Sequence, residues 1–185
     1  MEHYDLVKLA HAGIGTLALA TFWLSGMMRK GSPVHKVSGK LYLLAMTGIL
    51  LSAIPMTVAF FTRQHPVAAA FLIYLIVITS TSVWCSWRSV RDKRDWARCT
   101  GPVYRFLMVM NGISGLAIAY IGLFVTNQMA LIFTAFSLIG LMNAVEMWRF
   151  SRSAPTDSRW WLKKHFSAMI GNSVATHIAF LTIGL

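Results

Sequence analysis

Charge is scarce in this chain, and acid is scarcest. Six Asp and Glu stand among 185 residues, and charged residues of both signs make up 12%, roughly half the share of an ordinary soluble domain. A water-facing globule is excluded by that deficit. Long linkers, low-complexity tracts and internal repeats are also lacking, so residues 1–185 read as a single domain. There is no Walker loop, no dinucleotide glycine pattern, no zinc-protease helix and no nucleophile elbow, which argues against soluble-type catalysis. Only two cysteines occur, Cys85 and Cys99, and their spacing matches no zinc motif.

What fills the chain instead is apolar residue, 56% of the total. A helix of about 20 residues crosses a hydrocarbon core of about 30 Å. Six stretches have that length: Leu6–Met28, Leu41–Phe61, Val67–Trp87, Tyr104–Val125, Met129–Trp148 and Trp161–Leu185. The expected fold is all-α, an integral membrane bundle of six transmembrane helices. The first stretch lacks a basic leader and a small-residue cleavage site, so it is expected to stay in the mature protein.

The net charge of +11 is explained by position. Arg29, Lys30, Lys36 and Lys40 lie in the first connection, Arg88, Arg91, Lys93, Arg94, Arg98 and Arg105 in the third, and Arg149, Arg152, Arg159, Lys163 and Lys164 in the fifth. Only Lys8 and Arg63 fall on the other side. The positive-inside rule then puts both termini outside and the basic loops in the cytoplasm, where they meet anionic lipid rather than nucleic acid. Both cysteines lie at that cytoplasmic side, a reducing compartment in which a structural disulfide is not expected.

Ionisable residues inside a bilayer are costly and point to function. The last stretch carries His165 and His177, with Asn172 and the hydroxyls of Ser167, Ser173 and Thr176, behind an aromatic and lysine-rich entry at Trp160–Lys164. Counting at 1.5 Å per residue puts His11 and His177 within roughly 6 Å of one level in the outer half. They are expected to approach each other and to hold a metal or haem. His35, expected just before the second helix, and His165 form a second pair near the cytoplasmic interface. His3 and His65 read as solvated. The competing reading for each buried ring is packing, with a Ser, Thr, Asn or carbonyl of a neighbouring helix as its partner.

His165, Met169, Asn172 and Thr176 share one helical face. Asn111, Asn143 and Glu146 lie in the inner half, and Glu146, the only acid within a span, is expected to pair with Arg149 or Arg105. Gly13, Gly15, Gly112, Gly115 and Gly122 are read as close-packing positions, and Pro55 as a kink in the second helix.

The run Lys30-Gly31-Ser32-Pro33-Val34-His35-Lys36-Val37-Ser38-Gly39-Lys40-Leu41-Tyr42 resembles the His-Arg-x-x-Gly-Arg-x-Tyr signature of a family of uncharacterised bacterial multi-pass membrane proteins. His11 matches that family's earlier helix histidine, and His165, Met169 and Ile170 match its late His-x-x-x-Met-Ile element. The resemblance implies a multi-helix fold in the bacterial cytoplasmic (inner) membrane. Lys36 and Lys40 replace its usual arginines, which keeps charge and loses the bidentate fork. Two stacked histidine pairs are also similar in architecture to b-type di-haem transmembrane cytochromes.

Three functions remain open at this point. One is a redox protein, electron carrier or oxidoreductase, holding haem b or a transition-metal ion at His11 and His177 and at His35 and His165, with Tyr42, Glu146, Met169 and Asn172 in support and a quinone or redox partner nearby. The second is proton or metal-ion transport through the same histidines. The third is a structural subunit of a membrane complex, and homo-oligomerisation is left open with it.

Overall fold

A computed structural model describes residues 2–127 and 129–183. The side chain of His3 and the end of the sixth expected span, Gly184 and Leu185, lie outside the described residues. Seven helices form among the described residues: α1 (Glu2–Met27), α2 (Pro33–Thr62), α3 (Pro66–Arg91), the short α4 (Trp96–Cys99), α5 (Pro102–Phe124), α6 (Ala130–Arg152) and α7 (Trp160–Ile183). Three of them open on proline, which lacks only an N–H that the first turn leaves unbonded anyway. Five helices, α1, α2, α3, α5 and α6, are long and apolar enough to cross a membrane.

The second helix starts well before the expected Leu41. Ser32 is its N-cap, its hydroxyl accepting the His35 N–H at 3.2 Å, and Pro33 follows at the first helical position. His35, Lys36 and Lys40 therefore lie on α2 with Tyr42 and not in a loop. The helix runs on through Pro55, which leaves the Leu51 carbonyl without its usual i+4 donor.

Helices α1 and α2 pair along their length, as do α5 and α6, and α3 lies between the two hairpins while α7 packs against α3 and part of α1. Large apolar side chains face outward, among them Leu9, Leu131 and Met142, while Asn111, Ser86 and Ser137 are buried. That distribution is inverted relative to a bundle in water, and it matches lipid as the solvent.

Close approach between the helices depends on a few residues. The Tyr74 hydroxyl donates to the Phe136 carbonyl and accepts the Gly140 N–H at 2.9 Å, fastening α3 to α6. Asn111 donates from Nδ2 to Thr81 Oγ1 at 2.6 Å, fastening α5 to α3. A Cβ on Gly122 would lie 2.9 Å from the Phe133 Cβ, so α5 and α6 meet there only because the position is glycine. Gly13 and Gly15 do not serve that purpose, since a Cβ on either meets nothing within 4 Å.

The basic loops carry an aromatic belt. Arg88 lies over Trp84 and Trp87, Arg152 over Trp148, and Lys164 over Phe150 at 4.4 Å. At the opposite end Lys8 and Arg63 both lie over Tyr4, joining the start of α1 to the end of α2. Arg88 also pairs with the buried Asp92 at 2.6 Å, which anchors the turn leading to α4.

Candidate histidine site and interior cleft

Each of the imidazoles of His11, His35, His165 and His177 is held through Nδ1. His165 of α7 makes that bond to the Ser86 carbonyl of α3 at 2.8 Å, and His35 of α2 to the Ser25 carbonyl of α1 at 3.0 Å. A carbonyl oxygen only accepts, so each ring donates Nδ1–H, and Nε2 makes no bond among the described residues. Their helices, α2 and α7, both pack against α1 and α3. Two imidazoles oriented through Nδ1, each with Nε2 free of bonds among the described residues, are the kind of donor set that a metal-bound histidine uses, with a carbonyl orienting the ring from behind.

His11 and His177 are arranged differently. His11 Nδ1 bonds Ser52 Oγ of α2 at 2.8 Å. Ser52 directs its single hydroxyl proton to the carbonyls of Gly48 and Ile49, so the ring donates and Nε2 stays open. His177 has both nitrogens engaged: Nδ1 with its own helix at the Ser173 carbonyl, 2.7 Å, and Nε2 with the Trp23 indole N–H, 3.0 Å. Trp23 and Phe22 meet the ring edge to face. No bond joins His11 to His177 among the described residues: His11 turns to Ser52 of α2 and His177 to Trp23 of α1. Twelve residues separate His11 from Trp23 on α1, about 18 Å of rise and about 120° of rotation. Level alone does not set facing: α1 turns His11 to α2 and Trp23 to α7.

Supporting residues divide in the same way. Tyr42 is fully buried against Phe22 at 5.5 Å, in a cluster with Ala18, Ala45 and Met46 on which Met169 also packs. Thr176 donates to Met46 Sδ at 3.4 Å. The shared α7 face of His165, Met169, Asn172 and Thr176 thus faces the interior. Glu146 pairs with Lys164 of α7 at 2.5 Å rather than with Arg149 or Arg105, and its side chain is 61% exposed. A neighbour in space has displaced the neighbours in sequence. His65 caps the start of α3 without a side-chain bond and lies against Phe60.

Between α3, α6 and α7 lies a cleft of about 340 Å³. The ion pair Glu146–Lys164 stands at one end of it, and Asn143 and Asn172 lie on its α6 and α7 walls. Asn172 is 1% exposed, and neither amide atom has a hydrogen-bond partner among the described residues. Leaving such a group unpaired costs about 1–3 kcal/mol.

Sequence reasoning missed the anchors Ser25, Ser52, Ser86 and Trp23. Two of them act through a backbone carbonyl, which every residue has, so no residue type could have marked them. The cysteines are free, and among the described residues no group of three or more His, Cys, Asp or Glu is placed to hold a metal ion. Comparison with protein-family models, with curated proteins and with solved structures gives no match to this chain.

Proposed function

We propose that this chain is a six-span redox protein of the bacterial cytoplasmic membrane, with both termini outside, and that His35 and His165 hold its cofactor. The observation that carries the reading is the shared geometry of these two rings, each donating Nδ1–H to a carbonyl and offering Nε2. Haem b fits this donor set better than a bare transition-metal ion, because it would ask the protein for only two imidazoles, which His35 and His165 would provide. When bound, such a group would supply one-electron transfer. The chain's own part is to fix the two tautomers and to exclude water by packing Tyr42 and Met169 beneath the site. Lys36 and Lys40 lie exposed on α2 beside His35 and supply positive charge for propionates or lipid phosphates. A membrane quinone is the proposed electron partner. The sixth span is α7, whose Trp160 and lysine pair mark its cytoplasmic entry.

The test is an absorption spectrum with metal analysis on protein purified in detergent. A Soret band is expected, lost in His165→Ala and in His35→Ala and retained in His65→Ala. Wild-type protein with neither a Soret band nor bound metal refutes the reading.

A further inference from the structure

The structure assigns a second ligand site: the cleft between α3, α6 and α7 takes the ring of a quinone or quinol, with Asn172 as its principal hydrogen-bonding residue. The inference rests on the redox reading for the class of ligand, while the cleft itself is independent of the histidines.

Three observations converge on that ligand. The cleft walls are mostly apolar, from residues such as Ile78, Phe136 and Ile139, which suits a lipid-soluble body. Its one charged feature, Glu146 with Lys164, is internally matched, so the cleft favours a neutral guest over a phospholipid headgroup. Asn172 is buried to 1% with both amide atoms unpartnered. A primary amide offers one donor and one acceptor function in the same place. The N–H suits the carbonyl of a quinone and the oxygen suits the hydroxyl of a quinol, so one side chain serves both oxidation states.

The facing wall adds a second amide. Asn143 on α6 makes no hydrogen bond of its own among the described residues, and it lies three residues from Glu146, about 4.5 Å of rise. Asn172 lies eight residues beyond Lys164, about 12 Å into the span. The two amides are therefore offset along the cleft on opposite walls, an arrangement suited to a ring with oxygens at both ends. The volume of 340 Å³ falls in the range of small-molecule sites. Asn172 is separated from His165 by seven residues, which puts both on nearly the same side of α7 about two turns apart. The ring site and the inner histidine pair are thus reached from one helix.

A short-tailed ubiquinone analogue, titrated into the purified full chain in neutral-lipid nanodiscs, tests the assignment by tryptophan quenching. Saturable binding at one site per chain is expected, weakened at least about tenfold by Asn172→Leu, the loss of one hydrogen bond at a buried position. Gly171 lines the same cleft, and a Cβ there meets nothing within 4 Å, so Gly171→Leu fills the space without backbone clash and is expected to abolish binding. Absent binding in wild-type protein, equal binding in both variants, or full displacement by phosphatidylglycerol overturns the assignment. The Soret band read on the same samples separates the two ideas: a band without quinone binding sinks the cleft alone, and quinone binding without a band sinks the histidine reading alone.

Discussion

Trp23 donates its indole N–H to Nε2 of His177 at 3.0 Å, across the α1–α7 interface. The bond occupies the nitrogen that a metal would require, and it gives a half-buried imidazole a structural function. Trp23→Phe keeps the aromatic contact and removes the donor. The coupling between Trp23→Phe and His177→Ala in a double-mutant cycle is expected to be about 1 kcal/mol, measured by thermal unfolding in detergent. Neither variant is expected to change the cofactor content, and loss of a Soret band in His177→Ala would move the site outward.

Orientation is tested by labelling. In a background lacking Cys85 and Cys99, a cysteine at the exposed Asn127 is expected to react with a membrane-impermeant maleimide in intact cells, and one at the exposed Ala154 only after permeabilisation. The reverse pattern would invert the bundle and place the inner histidines at the outer face.

Helix packing makes a contrasting pair of glycine substitutions. A Cβ on Gly140 would lie 2.9 Å from Tyr74 Cε2 and 3.2 Å from the Asn111 carbonyl oxygen, whereas one on Gly13 meets nothing within 4 Å. Gly140→Ala is expected to cost about 1–3 kcal/mol through overpacking. Gly13→Ala should leave the unfolding temperature unchanged or raise it slightly, because alanine is the better helix former.

Legibility in the sequence differed by level. The apolar stretches were readable by length and composition: each falls largely within a long helix, and five of those helices are long and apolar enough to cross a membrane. The start of α2 was misplaced because Lys36 and Lys40 lower the local hydropathy, although Ser32 and Pro33 carry a cap and first-turn signal that reads independently of it. The partner of Glu146 and the facing of His11 were not readable, since both depend on rotation of one helix against another. Met169 and Asn172 were placed on the inward face by period alone, which needs no knowledge of the neighbours.

Cys99, in α4 and 4% exposed, gives a pH prediction. Burial first, and then the negative charge of Asp92, push its thiol up from 9.0 to about 11. Thiolate is the reactive form, so alkylation of the folded protein is expected to be slow at neutral pH and to rise only toward pH 11. Above pH 9.0 the unfolded thiol releases a proton that the folded one keeps, so this group lowers stability as pH rises through that window and contributes nothing below it. Unfolding temperatures of wild type and Cys99→Ser measured from pH 7 upward check the sign: the difference between them should begin to change only above the unfolded value. Rapid alkylation at neutral pH would contradict the buried position.

The middle position of α3 has a consequence for biogenesis. The pairs α1–α2 and α5–α6 join neighbours in sequence and can associate as each hairpin leaves the translocon, whereas the broad α3–α7 interface joins elements that three other helices separate. His165 and the α7 wall of the cleft both depend on that late docking. Variants that loosen α7 should therefore insert normally, keep their topology and escape the surveillance that removes uninserted chains, while losing both proposed ligand sites at once. For this bundle, abundance in the membrane is then a poor proxy for a completed interior.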